Sequence, residues 1–96
     1  MQLRFEWDER KAATNLGKHK ASFEEAQTVF FDPLACIFDD EWHSTDEPRE
    51  IIVGHSYFNR LLLVCFMERA PGLTRIISAR RATKRERRDY EQGQNE

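Results

Sequence analysis

The chain has 96 residues, of which 40% are hydrophobic and 33% charged, with a formal net charge of −2. That length suits one domain, residues 1–96, with one modest core, and leaves no room for two. The longest uninterrupted apolar run, Leu61 to Met67, falls far short of the roughly 20 residues of a membrane-spanning helix. The opening Met1-Gln2-Leu3-Arg4-Phe5-Glu6-Trp7-Asp8 carries an early acid and no apolar h-region, which argues against a secretory leader.

Leu3 to Trp7 reads as a short first strand. Asp8 is a helix N-cap, and Trp7 and Ala12 stand at the two positions of a hydrophobic staple. A helix through Lys11 to Leu16 follows, with Gly17 as its left-handed terminator and Lys18 to Ala21 as a connector. Ser22 and Glu25 form a capping box, after which Phe23, Ala26, Val29 and Phe30 supply an apolar helical face. Asp32-Pro33 ends that helix, because the residue before proline is pushed out of the α region.

Strand patterns then take over. Leu34 to Phe38 is one strand, Asp39 to Arg49 a polar connection, and Glu50 to Phe58 the next strand. A tight turn at Phe58-Asn59-Arg60 leads into Arg60 to Met67, the most apolar strand and hence the central one. Ala70-Pro71-Gly72 turns the chain into Leu73 to Ala79. Strict alternation there places Thr74, Ile76, Ser78 and Arg80 on one face and Arg75, Ile77, Ala79 and Arg81 on the other. Thr83 and Glu86 form a second capping box, opening a last helix that runs to about Tyr90 or Gln92 and leaves residues 93–96 frayed. The order predicts an α+β fold: a small antiparallel sheet with two N-terminal helices and one C-terminal helix.

The charge is polarised along the chain. Glu24 to Glu50 holds nine acids and one base, whereas Arg69 to Arg88 holds eight bases and one acid. A molecule so divided can hold a phosphate backbone on one face despite its near-neutral total. Guanidinium forks bind phosphate bidentately and remain charged, which points to Arg75 and Arg80 as catalytic candidates and to Arg60, Arg69, Lys84 and Arg85 as binding residues for a phosphate backbone. Lys84 and Arg85 open a helix, where positive charge opposes the macrodipole at a cost of about 0.3–1 kcal/mol per site. A phosphate or acidic partner would offset that cost.

His19, between Lys18 and Lys20, is the candidate acid or base, since neighbouring cations favour its neutral form. Tyr90 stands in reserve. His43 and His55 show no zinc-like spacing, and the acids from Asp39 to Glu50 lack a regular ligand spacing. Cys36 and Cys65 read as buried thiols in a reducing, cytoplasmic setting. With no Gly-rich phosphate loop and no nucleophile elbow, the chain is expected to work without a metal or cofactor.

The runs Phe5-Glu6-Trp7-Asp8, Lys18-His19, Ser22-Phe23-Glu24-Glu25-Ala26, Val29-Phe30 with Asp32-Pro33, His43-Ser44 with Glu47 and Arg49, and Arg75 to Arg80 with Glu86 and Tyr90 together resemble the BrnT family. The likeness runs in order over nearly the whole chain. It implies a RelE-like fold and the toxin role of a type II toxin–antitoxin pair: a ribonuclease that stops translation. It also implies neutralisation by a BrnA-like antitoxin, through which alone the toxin meets DNA. Lys20 and Asn59 depart from the family pattern, in which glycine is frequent at both positions. Two readings from other classes are a non-catalytic protein-binding module and an inactive homologue acting only within a repressor complex.

Overall fold

The structure, a computed structural model, describes residues 3–40 and 48–93. These form β1 (Arg4–Glu6), α1 (Glu9–His19), α2 (Phe23–Thr28) continued by a 3-10 turn (Val29–Phe31), β2 (Cys36–Asp39), β3 (Glu50–His55), β4 (Leu61–Ala70), β5 (Leu73–Arg81) and α3 (Lys84–Gly93). The strands make one sheet in the order β1-β5-β4-β3-β2. β4 is therefore central, as its apolar run predicts. The three hairpin-linked pairs are antiparallel, while β1 runs parallel to β5, so the sheet is mostly rather than wholly antiparallel.

Local signals set most boundaries. The Asp8 carboxylate accepts from the Arg10 and Lys11 amides at 2.8 and 3.2 Å, fixing the start of α1. Its end differs from the expected one. α1 passes through Gly17 to His19, and Lys20 takes the left-handed conformation (φ 55°), its amide donating to the Leu16 carbonyl at 3.0 Å. Lys18 and His19 complement the negative C-terminal dipole of the extended helix, and Asn15, one turn before its end, bonds Ala21 beyond the helix and Ala79 on the sheet. Asn59 also takes positive φ (58°). Lys20 and Asn59 therefore both stand in the left-handed region, where glycine is the unstrained residue.

The capping boxes differ from one another. At α3, the Glu86 amide donates to Thr83 Oγ1 (3.1 Å) and the Thr83 amide to Glu86 Oε1 (2.8 Å), completing the box. At α2, Ser22 Oγ accepts from the Glu25 amide (2.9 Å), but the Glu25 carboxylate turns away to Arg60 and Ser56.

The sheet is covered on both faces. Against one face, α1, α2 and the 3-10 turn pack Phe23, Ala26 and Val29 onto Ile52, Leu62, Val64, Phe66, Ile76 and Ala79. On the other, α3 buries Tyr90 against Val53 and Leu61. Gly54 lets the turn after α2 close on β3: a Cβ there would lie 2.9 Å from Ala35 Cβ and 3.0 Å from Asp32 Oδ2.

The expected alternation of β5 is broken. Cys65 pairs with Ser78, but the next residue of β4, Phe66, pairs with Ile76, so Ile77 is an extra residue in a bulge. Ile76 and Ala79 consequently face the same core. Arg75, Ser78 and Arg80, opposite Met67, Cys65 and Leu63, share the other face. The expectation that Arg75 and Arg80 point to opposite faces is corrected by that one inserted residue.

Candidate functional site

Among the described residues, β5 is an open edge along much of its length. β1 pairs only with Leu73, Thr74 and Arg75, and α1 lies beside the remainder. There the Asn15 side chain stands in for a neighbouring strand. Its amide nitrogen donates to the carbonyls of Ala79 (2.7 Å) and Ala21 (2.9 Å), and its oxygen accepts from the Ala79 amide (3.0 Å). Asn15 is buried, so these bonds form where an unmade one is costly.

Two clefts flank this edge, each of about 340 Å³. One lies along α1 and contains Lys18, His19 and Ser78. The other lies on the α3 face and contains Arg80, Asp40, Cys65 and Ser78. Ile77 and Ser78 belong to both. The bulge is thus the meeting point of the surface bearing His19 and the surface bearing Arg80.

Arg80 is held by Glu86. Its two terminal nitrogens donate to the two carboxylate oxygens at 2.8 and 2.9 Å, while its side chain stays 38% exposed. Glu86 also caps Thr83. The Arg80 fork, reinforced by the Thr83 groups and opposed by partial burial, pushes the Glu86 carboxyl down to about 2. Arg75 is likewise paired, with Glu6 at 2.8 Å. Arg75 and Arg80 stand four steps apart as measured along β4, from Met67 to Leu63, or about 13 Å.

The other predicted cations are dispersed. Arg60 donates from Nε to Glu25 Oε2 (2.9 Å), from Nη2 to Glu25 Oε1, and from Nη2 to the Lys20 carbonyl (2.8 Å). Glu25 is 5% exposed. Its bonds to Arg60 hold the carboxyl below its usual range despite the opposing effect of burial, with Ser56 assisting. Arg60 therefore pins the backbone next to His19. Arg69 is exposed near the far end of β4, six residues from Leu63, about 20 Å from the Arg80 register at ~3.3 Å per residue. Lys84 and Arg85 are exposed in the first turn of α3. His43 lies outside the described residues.

One constellation escapes a charge-based reading. Asp32 Oδ2 accepts from the His55 amide (2.7 Å) and the Tyr90 hydroxyl (3.0 Å), with His55 Nδ1 at 3.8 Å. Tyr90 also meets His55 Nδ1 at 3.3 Å. Burial is the largest influence on Asp32 and raises it. The amides of His55 and Leu34 and the Tyr90 hydroxyl outweigh that and leave it below its usual value. Burial and the Asp32 charge push the Tyr90 hydroxyl up to about 12, making it a neutral donor at ordinary pH. The sole sequence signal for this cluster is that Asp32 precedes Pro33. Among the described residues no three His, Cys, Asp or Glu side chains converge as a metal site, and Cys36 and Cys65 are free thiols. Among the described residues no helix is long and apolar enough to cross a membrane.

No curated protein matches the chain. Among solved structures, it is similar to the 1.1 Å crystal structure of the Brucella abortus ribonuclease toxin BrnT, with a TM-score of 0.66 and 22% identity, over 86% of this chain and 100% of that one. That likeness establishes the shared fold. A family model described as the ribonuclease toxin BrnT of type II toxin–antitoxin systems matches residues 7–86, from the N-cap region of α1 to the carboxylate that holds Arg80. The chain belongs to the BrnT family of ribonuclease toxins of type II toxin–antitoxin systems.

Proposed function

We propose that the protein is a metal-independent endoribonuclease whose active centre is the open edge of β5. In this reading the RNA 2′-hydroxyl attacks the adjacent phosphate and expels the 5′-oxygen, leaving a 2′,3′-cyclic phosphate. The observation that carries it is the shared boundary of the two clefts: Ile77 and Ser78 bring the His19 side and the Arg80 side together. Such a reaction needs a proton removed from the 2′-oxygen, charge stabilised on the non-bridging oxygens, and a proton given to the leaving oxygen.

Arg80 is placed at the scissile phosphate, where its planar fork matches two oxygens. Arg75, on the same face, takes a neighbouring phosphate. His19 is the proton-transfer group. Arg69, Lys84 and Arg85 extend the electrostatic footprint. Arg60 contributes by fixing the Lys20 carbonyl and so the end of α1. Phosphate must compete with Glu86 for Arg80, which makes release of that pair part of substrate engagement.

The biological setting proposed is cytoplasmic: RNA cleavage stops translation, a BrnA-like antitoxin neutralises the toxin, and DNA is met only through that antitoxin. The test is incubation of the purified chain with RNA in EDTA, beside Arg80→Ala. Cleavage by the wild type with cyclic phosphate ends, and a loss of about 10²–10³ in rate for the variant, is the expected result. Cleavage of DNA, or activity abolished by EDTA, would sink the scheme. Loss of antitoxin binding together with activity in Arg80→Ala would favour a docking role for this face instead.

A further inference from the structure

Several of the arginines that dominate the sequence are engaged. Arg60, Arg75, Arg80 and Arg87 each face a carboxylate: Glu25, Glu6, Glu86 and Glu91. Against that stand the cations of α1. Arg10, Lys11 and Lys18 line the cleft along that helix. Among the described residues none of the three has an acidic partner at ion-pair distance. Their spacing puts them along one side of the helix, with Thr14 between them. From Lys11 to Lys18 the rise is about 10 Å.

Lys18 and His19 close α1, where positive charge complements the dipole and needs no further reason. Arg10 and Lys11 do not have that reason. They sit in the first turn, where a cation opposes the dipole, and their backbone amides already go to Asp8. A line of uncompensated cations in a concave surface is what a strand carrying one charge per nucleotide requires. The cleft also leads somewhere: it ends at Ser78 on β5, where the Arg80 cleft begins.

We propose that the α1 cleft is the track for single-stranded RNA flanking the cleaved linkage. Arg10, Lys11 and Lys18 hold successive phosphates and deliver the strand across Ser78 to Arg80. The proposal rests on the ribonuclease reading and adds a binding surface outside the basic C-terminal third.

The test compares wild type with the triple variant Arg10→Gln, Lys11→Gln, Lys18→Gln. Glutamine is a good helix former at these exposed positions. A control, Arg4→Gln, removes an exposed cation of β1 that lines neither cleft. Binding of a 2′-O-methyl RNA oligomer, which keeps the phosphates but lacks the nucleophile, is followed by anisotropy across a salt series. Cleavage of the matching RNA is measured in parallel.

The expected result is at least a tenfold loss of affinity in the α1 variant. The slope of log affinity against log salt should also flatten by about 2, at ~0.7 per phosphate contact on a single strand. The control should retain the wild-type slope. Equal losses in both variants, or an unchanged slope in the α1 variant, would overturn the track. So would retained RNA affinity with lost neutralisation by the antitoxin, which would assign the cleft to a protein partner. Wild-type protein that neither binds nor cleaves RNA would overturn the ribonuclease reading itself, and the track with it.

Discussion

The guanidinium of Arg60 serves the scaffold through a carboxylate that has almost no access to water. Removing it leaves the Glu25 charge buried with only Ser56 to bond it. Arg60→Ala is therefore expected to cost about 3–5 kcal/mol, read as a shift of the urea midpoint. Arg60→Lys should restore little, because an ammonium cannot reproduce the fork that reaches both oxygens and the Lys20 carbonyl. Glu86 has a pH signature. Its carboxyl lies near 2 in the folded chain against an ordinary 4.5, so the folded state favours the charged form. That stabilisation is fully present above about pH 4.5 and is lost as pH falls towards 2. Glu86→Gln should flatten the acid limb of the stability curve in that window. An unchanged acid limb would show that the Arg80 pair does not hold α3 in solution.

At the level of elements, the joint between α1 and β5 depends on one side chain. Asn15→Ala removes three hydrogen bonds and leaves buried backbone groups of Ala79 and Ala21 unmatched. A loss of about 2–4 kcal/mol is expected, built from ~1–3 kcal/mol per unsatisfied group, with faster hydrogen exchange at the Ala79 amide. Gly54→Ala should be destabilising too, since its Cβ would collide with the turn that carries Asp32.

These joints also show what a sequence displays and what it conceals. Capping residues, the proline stop and the apolar run of β4 are local signals, and they set Asp8, Ser22, Thr83 and the central strand correctly. The end of α1 was not local. Gly17 offered a terminator, and a contact with residue 79 decided otherwise. The bulge at Ile77 leaves no mark in hydropathy, so the sharing of one face by Arg75 and Arg80 emerged only from register. The Asp32, His55 and Tyr90 cluster joins residues up to 58 positions apart and has no periodicity to betray it.

Over the whole molecule, the charge polarity visible in the sequence is partly consumed within the fold. Glu6, Glu25 and Glu86 each bind an arginine, so a count of cations overstates the surface available to RNA. The two ends of β5 also differ in what they present. The hairpin end carries Arg69, while the other end carries Arg80 and the first turn of α3. Arg69→Ala is accordingly expected to weaken RNA binding modestly and to leave the rate at saturation within about twofold, whereas Arg80→Ala lowers that rate. Steady-state cleavage of one RNA by both variants separates the two effects.

The extra residue in β5 is taken up by the bulge and leaves the faces of its neighbours unchanged. Replacing Ile77 by valine keeps the count and should be tolerated. Losing its codon in frame removes the bulge: Ile76, Ser78, Ala79 and Arg80 then stand consecutively opposite Phe66, Cys65, Val64 and Leu63, so the core residues and Arg80 keep their faces and regular alternation returns. What is lost is a residue common to the two clefts. A three-base deletion in the gene is thus expected to give folded protein with impaired RNA cleavage, where the valine variant stays active. The length of the strand at this point serves the site rather than the core.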